Sequence, residues 1–72
     1  MKLTVLGSTG SIGVSTLDVV SHVNASGAQD IQIVALIAGR NVELLIEQAL
    51  QFRPKIAVIQ DVTKYGALKS GL

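Results

Sequence analysis

Residues 7–13 read Gly7-Ser8-Thr9-Gly10-Ser11-Ile12-Gly13, directly behind the apolar run Leu3-Thr4-Val5-Leu6 and ahead of a segment with helically spaced apolar residues. A strand that passes through a glycine-rich turn into a helix builds an anion site. Successive backbone N–H groups point outward, the helix start adds positive partial charge, and the missing side chains let the anion come close. The glycines divide the work. Gly7 permits the sharp turn out of the strand, Gly10 lets the backbone approach a pyrophosphate, and Gly13 lets the helix pack close to the sheet. Thr9, Ser11 and Ile12 supply backbone N–H groups, and the two hydroxyls can add hydrogen bonds to phosphate oxygens. The Gly-x-x-Gly-x-x-Gly spacing is one residue away from the common dinucleotide fingerprint. The alternative is a structural strand-to-helix turn that holds no ligand.

Working outward, three apolar runs read as strands: Leu3 to Leu6, Ile31 to Ala38 and Ile56 to Ile59. None alternates strictly with polar residues, as expected of strands in a covered parallel sheet. Between them lie helical patterns. From Ser11 to Val23 the spacing puts Ile12, Thr16, Val19, Val20 and Val23 on one face. From Asn41 to Phe52 it makes a stripe of Val42, Leu45, Ile46, Ala49 and Phe52, with Asn41 as N-cap and Glu43 in the first turn. Pro54 ends that helix by forcing Arg53 into an extended conformation. A third helix is predicted from Asp61, carrying Val62, Tyr65 and Leu68 inward. The polar stretch Asn24 to Asp30 reads as a surface loop.

The predicted order is β-α-β-α-β-α. Right-handed crossovers then give an α/β fold with a parallel sheet ordered 3-2-1, one mononucleotide-binding half of a three-layer, Rossmann-like domain. With no fourth strand, Leu3 to Leu6 would present an unpaired apolar edge. A fragment of a longer protein is therefore expected, one that self-associates or folds only partly in isolation.

Composition narrows the function classes. Seventy-two residues make one small domain at most. The net charge of +1, with its basic residues scattered, is too small to suggest a nucleic-acid footprint. There is no cysteine, which suits a reducing compartment. The longest apolar run, Ile33 to Ala38, is far too short to span a bilayer. Met1-Lys2 leads at once into the first strand, leaving no room for a leader. A cytoplasmic chain without nucleic-acid or membrane partners is expected.

A second candidate site is Ala38-Gly39-Arg40-Asn41, at the end of the second predicted strand. NAD-binding domains often carry an acid there that holds the ribose hydroxyls. Here Arg40 stands in that region, and its guanidinium fork matches a phosphate. Asn41 adds an amide. The combination favours NADP(H) over NAD(H); the alternative is a solvated charge at a helix start. His22 has no metal-ligand companion, Tyr65 reads as a core ring, and the five acids form no pair. No catalytic or metal-ligating constellation is present in the sequence.

Together these segments resemble the 1-deoxy-D-xylulose 5-phosphate reductoisomerase family. The resemblance rests on Leu-Gly-Ser-Thr-Gly-Ser-Ile-Gly at 6–13, Ser15-Thr16-Leu17-Asp18-Val19-Val20, Ala35-Leu36, Ala38-Gly39-Arg40-Asn41-Val42, Glu47-Gln48, Phe52-Arg53-Pro54 and Ala57-Val58. It covers essentially the whole chain. It implies an NADPH-dependent oxidoreductase of non-mevalonate isoprenoid synthesis. That enzyme isomerises and reduces 1-deoxy-D-xylulose 5-phosphate to 2-C-methyl-D-erythritol 4-phosphate, using magnesium or manganese, and is a homodimer. Positions matching Thr9, Gly10, Ser11 and Ile12 would contact the cofactor phosphates, and those matching Gly39, Arg40 and Asn41 the adenosine 2′-phosphate. Residues 1–72 would be the N-terminal part of the NADPH-binding domain. The catalytic residues, the metal ligands and the C-terminal domains would lie outside this chain, leaving the piece alone inactive. Two other classes compete: NADP-dependent semialdehyde or acyl-phosphate dehydrogenases, and a non-enzymatic nucleotide sensor with a Rossmann-like domain.

Overall fold

The computed structural model describes every residue from Met1 to Leu72. Strand β1 (Lys2–Leu6) enters the glycine turn, which opens helix α1 (Ser11–Ser26). Strand β2 (Gln32–Ala38), helix α2 (Val42–Phe52) and strand β3 (Ile56–Ile59) follow. A short 3₁₀ turn (Val62–Lys64) leads into the final helix α3 (Tyr65–Gly71). The three strands form one parallel sheet in the order β1-β2-β3, the same neighbours as the expected 3-2-1 order. The register slips once: Leu3 pairs with Ile33 and Thr4 with Ala35, so Val34 stands as an extra residue opposite β1.

The slip keeps the core face continuous. Val5, Ile33, Leu36, Ala38 and Ile59 point to one side of the sheet and meet Leu17 and Val20 of α1, Val42 and Leu45 of α2, and Leu68 of α3. All three helices thus join a single core on one face, and sheet plus helices make two layers. The opposite face pairs Thr4 and Leu6 with Ala35 and Ile37, and those with Ile56 and Val58. No helix covers it: Leu6 is 73% exposed, Ile56 53% and Val58 39%. The third layer of the expected sandwich is not contributed by these residues.

Helix α1 buries a different face from the one its apolar spacing predicts. Gly13, Leu17 and Val20 point inward, while Ile12 and Val19 are 82% and 60% exposed. Gly13 decides this. A Cβ built there would strike the Gly7 carbonyl oxygen and lie 2.6 Å from Ser8 Cα, so the helix rests its glycine on the turn. Leu17 and Val20 follow at i+4 and i+7. Helix α1 also runs three residues past Val23, closing on Gly27 in the left-handed conformation (φ 77°). Asn24 then ties off the loop: its Nδ2 donates to Ile31 O at 2.9 Å and its Oδ1 accepts from Ile31 N–H at 2.8 Å.

Helix α2 starts as expected, with Asn41 Oδ1 accepting from Leu44 N–H at 3.1 Å. Its end differs. Arg53 is left-handed (φ 52°), not extended, and its N–H donates to Ala49 O at 2.8 Å. One further helical hydrogen bond is made before Pro54 stops the chain. The last segment also differs. Asp61 caps it by accepting from Thr63 N–H at 3.0 Å, but the first turn is 3₁₀. Three residues per turn rotates the periodicity, so only Leu68 reaches the core and Val62 and Tyr65 are 83% and 62% exposed.

Candidate cofactor-phosphate site

Both predicted stretches sit at the carboxyl edge of the sheet, because parallel strands direct all their exits to one end. Leu6 pairs with Ile37, so the glycine turn leaving β1 lies beside the β2 exit at Gly39-Arg40-Asn41. Ser8 N–H donates to Ile37 O at 3.0 Å and fixes the two exits against each other.

The turn is built by its glycines. Gly7 takes a positive φ of 66°, which a side chain would strain, and Gly10 N–H closes the turn onto Gly7 O at 3.0 Å. The first bond of α1 runs from Val14 N–H to Gly10 O at 2.8 Å. The N–H groups of Thr9, Ser11 and Ile12 therefore have no acceptor within the chain. They are the donors left over at a helix start. The two helix starts contrast. Helix α2 has its Asn41 cap and Glu43 in the first turn; helix α1 has no side-chain cap and no acid in its first turn. Thr9 is half-buried and Gly10, Ser11 and Ile12 are exposed, so the free donors belong to an accessible stretch.

At the β2 exit, Gly39 O accepts from Asp61 N–H at 2.9 Å and Arg40 O from Val42 N–H at 2.9 Å. Arg40 is exposed and its guanidinium makes no ion pair. The carboxyl of Asp61 is held below its ordinary value, chiefly by hydrogen bonds from Thr63, with smaller contributions from Lys64 and Arg40. Thr63 Oγ1 donates to it at 2.6 Å. Asn41 spends its oxygen on the cap, which leaves the amide NH₂ available.

Sequence reasoning did not assign a site role to Ser8 or Gln48. Gln48 Nε2 donates to Ser8 O at 2.7 Å inside the protein, linking α2 to the turn. The available signal was a polar residue at i+3 from Leu45, on the apolar stripe of α2. His22 is an exposed side chain whose Nδ1 lies 2.8 Å from Asp18 O, in keeping with a surface role. No three acidic, histidine or cysteine side chains converge as a metal site. The largest cavity, about 510 Å³, lies at the opposite edge, beside Lys2, Ile31 and Lys55. The glycine turn and residues 39–41 form an open rim. No helix is long and apolar enough to cross a membrane.

A parallel sheet, a glycine turn feeding an uncapped helix and a second strand exit beside it define a Rossmann-like α/β unit. The particular family follows from comparison. The profile of the 1-deoxy-D-xylulose 5-phosphate reductoisomerase family matches residues 3–72, and this chain belongs to that family. It is 55% identical over 71 residues to the 1-deoxy-D-xylulose 5-phosphate reductoisomerase of Caulobacter vibrioides (strain NA1000 / CB15N). The enzymes of that name from Agrobacterium fabrum and Nostoc sp. are 52% and 49% identical. Each match covers 99% of this chain and 17% of the relative, so the chain spans about one sixth of their length. The match favours the reductoisomerase over the dehydrogenase and sensor alternatives.

Proposed function

We propose that residues 1–72 hold the phosphate-bearing, adenosine end of NADPH as the N-terminal part of its binding domain. The observation that carries this reading is the start of α1: an uncapped helix, free of acid in its first turn, behind a turn that leaves the Thr9, Ser11 and Ile12 N–H groups without partners. Those donors, with Gly10 beneath them, suit the pyrophosphate. Gly39, Arg40 and the free amide of Asn41 suit the 2′-phosphate, since the β2 exit offers a guanidinium where NAD-specific domains offer a carboxylate. NADPH would supply a hydride to the substrate; the part of these residues is to bind and orient its distant end.

The proposal extends to the whole protein. It would convert 1-deoxy-D-xylulose 5-phosphate to 2-C-methyl-D-erythritol 4-phosphate as a cytoplasmic homodimer, with magnesium or manganese ligands and catalytic residues outside this chain. The test is a titration of this chain with NADPH and with NADH, followed by amide chemical shifts. Shifts at Thr9 to Ile12 with both, and at Gly39 to Asn41 with NADPH, are expected. Arg40→Asp should abolish the preference for NADPH. A dispersed spectrum in which neither stretch moves would refute the reading.

A further inference from the structure

Gln48 lies on α2, seven residues after the Asn41 cap, and is 6% exposed between Leu45 and Ala49. Its Nε2 reaches across to the Ser8 carbonyl at 2.7 Å, and Ser8 is fully buried. Ser8 is held on its other side by Ile37 O. The residue that leads into the turn is thus pinned through both backbone groups, one by β2 and one by α2.

The pinned carbonyl has a partner group with a different duty. Ser8 C=O and Thr9 N–H belong to one peptide plane, and no peptide in the chain is cis. In a trans peptide the two groups point in opposite directions. Drawing the Ser8 carbonyl inward to Gln48 therefore turns the Thr9 N–H outward. A flipped plane would present an oxygen where the proposed site needs a donor.

Stability alone does not account for an amide here. Gln48 Oε1 and Ser8 Oγ are both buried and find no partner in the chain. The unpaired Gln48 Oε1 offsets part of what the one good hydrogen bond contributes; an apolar side chain of similar length would fill the same space but leave the buried Ser8 carbonyl without a donor unless its peptide turns. We propose that Gln48 is a positioning residue of the cofactor site, fixing the Ser8–Thr9 peptide so that the Thr9 N–H faces the pyrophosphate.

This rests on the reading that the turn binds the cofactor phosphates, and the test separates the two. In a full-length reductoisomerase carrying residues 1–72, Q48M keeps length and volume but removes the donor. Since NADPH and NADH share the pyrophosphate, Q48M should raise KM for both by the same factor, about tenfold. The ratio between them and kcat at saturation should change little. Q48L should behave alike, and Q48E, which offers only acceptors to the Ser8 carbonyl, should be worse. R40D should shift the ratio instead. Unmoved KM values in Q48M and Q48L overturn the inference, as does a fall in kcat and melting midpoint with KM unchanged. If S11D, which sets a carboxylate at the uncapped start of α1, also leaves both KM values unmoved, the reading beneath it fails too.

Discussion

At the scale of single residues, Gly13 and Asp61 give the sharpest expectations. A methyl group at Gly13 would have to share space with backbone atoms of Gly7 and Ser8, which cannot swing aside as a side chain can. Gly13→Ala should cost about 3 kcal/mol or more, enough to abolish cooperative melting in a domain this small. Gly39→Ala meets nothing within 4 Å and should stay within about 0.5 kcal/mol of the parent in the same thermal melt. Asp61 governs an acid response. Its carboxyl titrates below its ordinary 3.8 because the charged form accepts hydrogen bonds from Thr63. The stabilisation is complete above the unfolded-state value and is lost as pH falls through the lower, folded-state value. Chemical denaturation of the parent and Asp61→Asn should show a stability gap at neutral pH that closes as pH falls below 3.8. A gap that persists unchanged in acid would contradict this.

Elements obey packing before periodicity. Leu17→Ala should cost about 2–5 kcal/mol because Leu17 is 4% exposed, whereas Val19→Ala, 60% exposed, should fall within about 0.5 kcal/mol. Equilibrium unfolding of the two variants distinguishes the observed face of α1 from the one its apolar spacing implies. Asn41→Ala should lower stability by about 1 kcal/mol through the lost cap, and Asn41→Asp should restore most of it. These cases show what can be read from sequence. Strand number, parallel order and both strand exits follow from the three apolar runs, the glycine spacing and crossover handedness. The face of α1 does not, because a contact that only Gly13 can make outranks the greater hydrophobicity of Ile12 and Val19. Nor do the exposed Val62 and Tyr65, since three residues of 3₁₀ turn ahead of α3 break the helical count. The tie from Gln48 to Ser8 spans 40 positions, and no local pattern encodes a partner that distant.

For the whole molecule, the bare face of the sheet is the dominant fact. Leu6, Ile56 and Val58 face solvent, and β1, next to Leu6, and β3, which carries Ile56 and Val58, each have an open edge. The chain alone should associate as its concentration rises, by edge pairing and by burial of that face. Sedimentation velocity over a range of concentrations should show the average mass climbing, and a Leu6→Lys, Val58→Lys double variant should suppress the climb. A single species at monomer mass throughout would contradict it.

The Asn24 clamp has a practical side. With Ile31 held at both its N–H and its C=O, β2 begins at a fixed point whatever the chain does between residues 25 and 30. Lengthening a flexible loop costs only about 0.6 kcal/mol per doubling. That stretch leaves the amino edge of the sheet, at the far end from the glycine turn. A fluorophore or affinity peptide spliced in after Ala28 would therefore report on the protein without touching the site it is meant to observe.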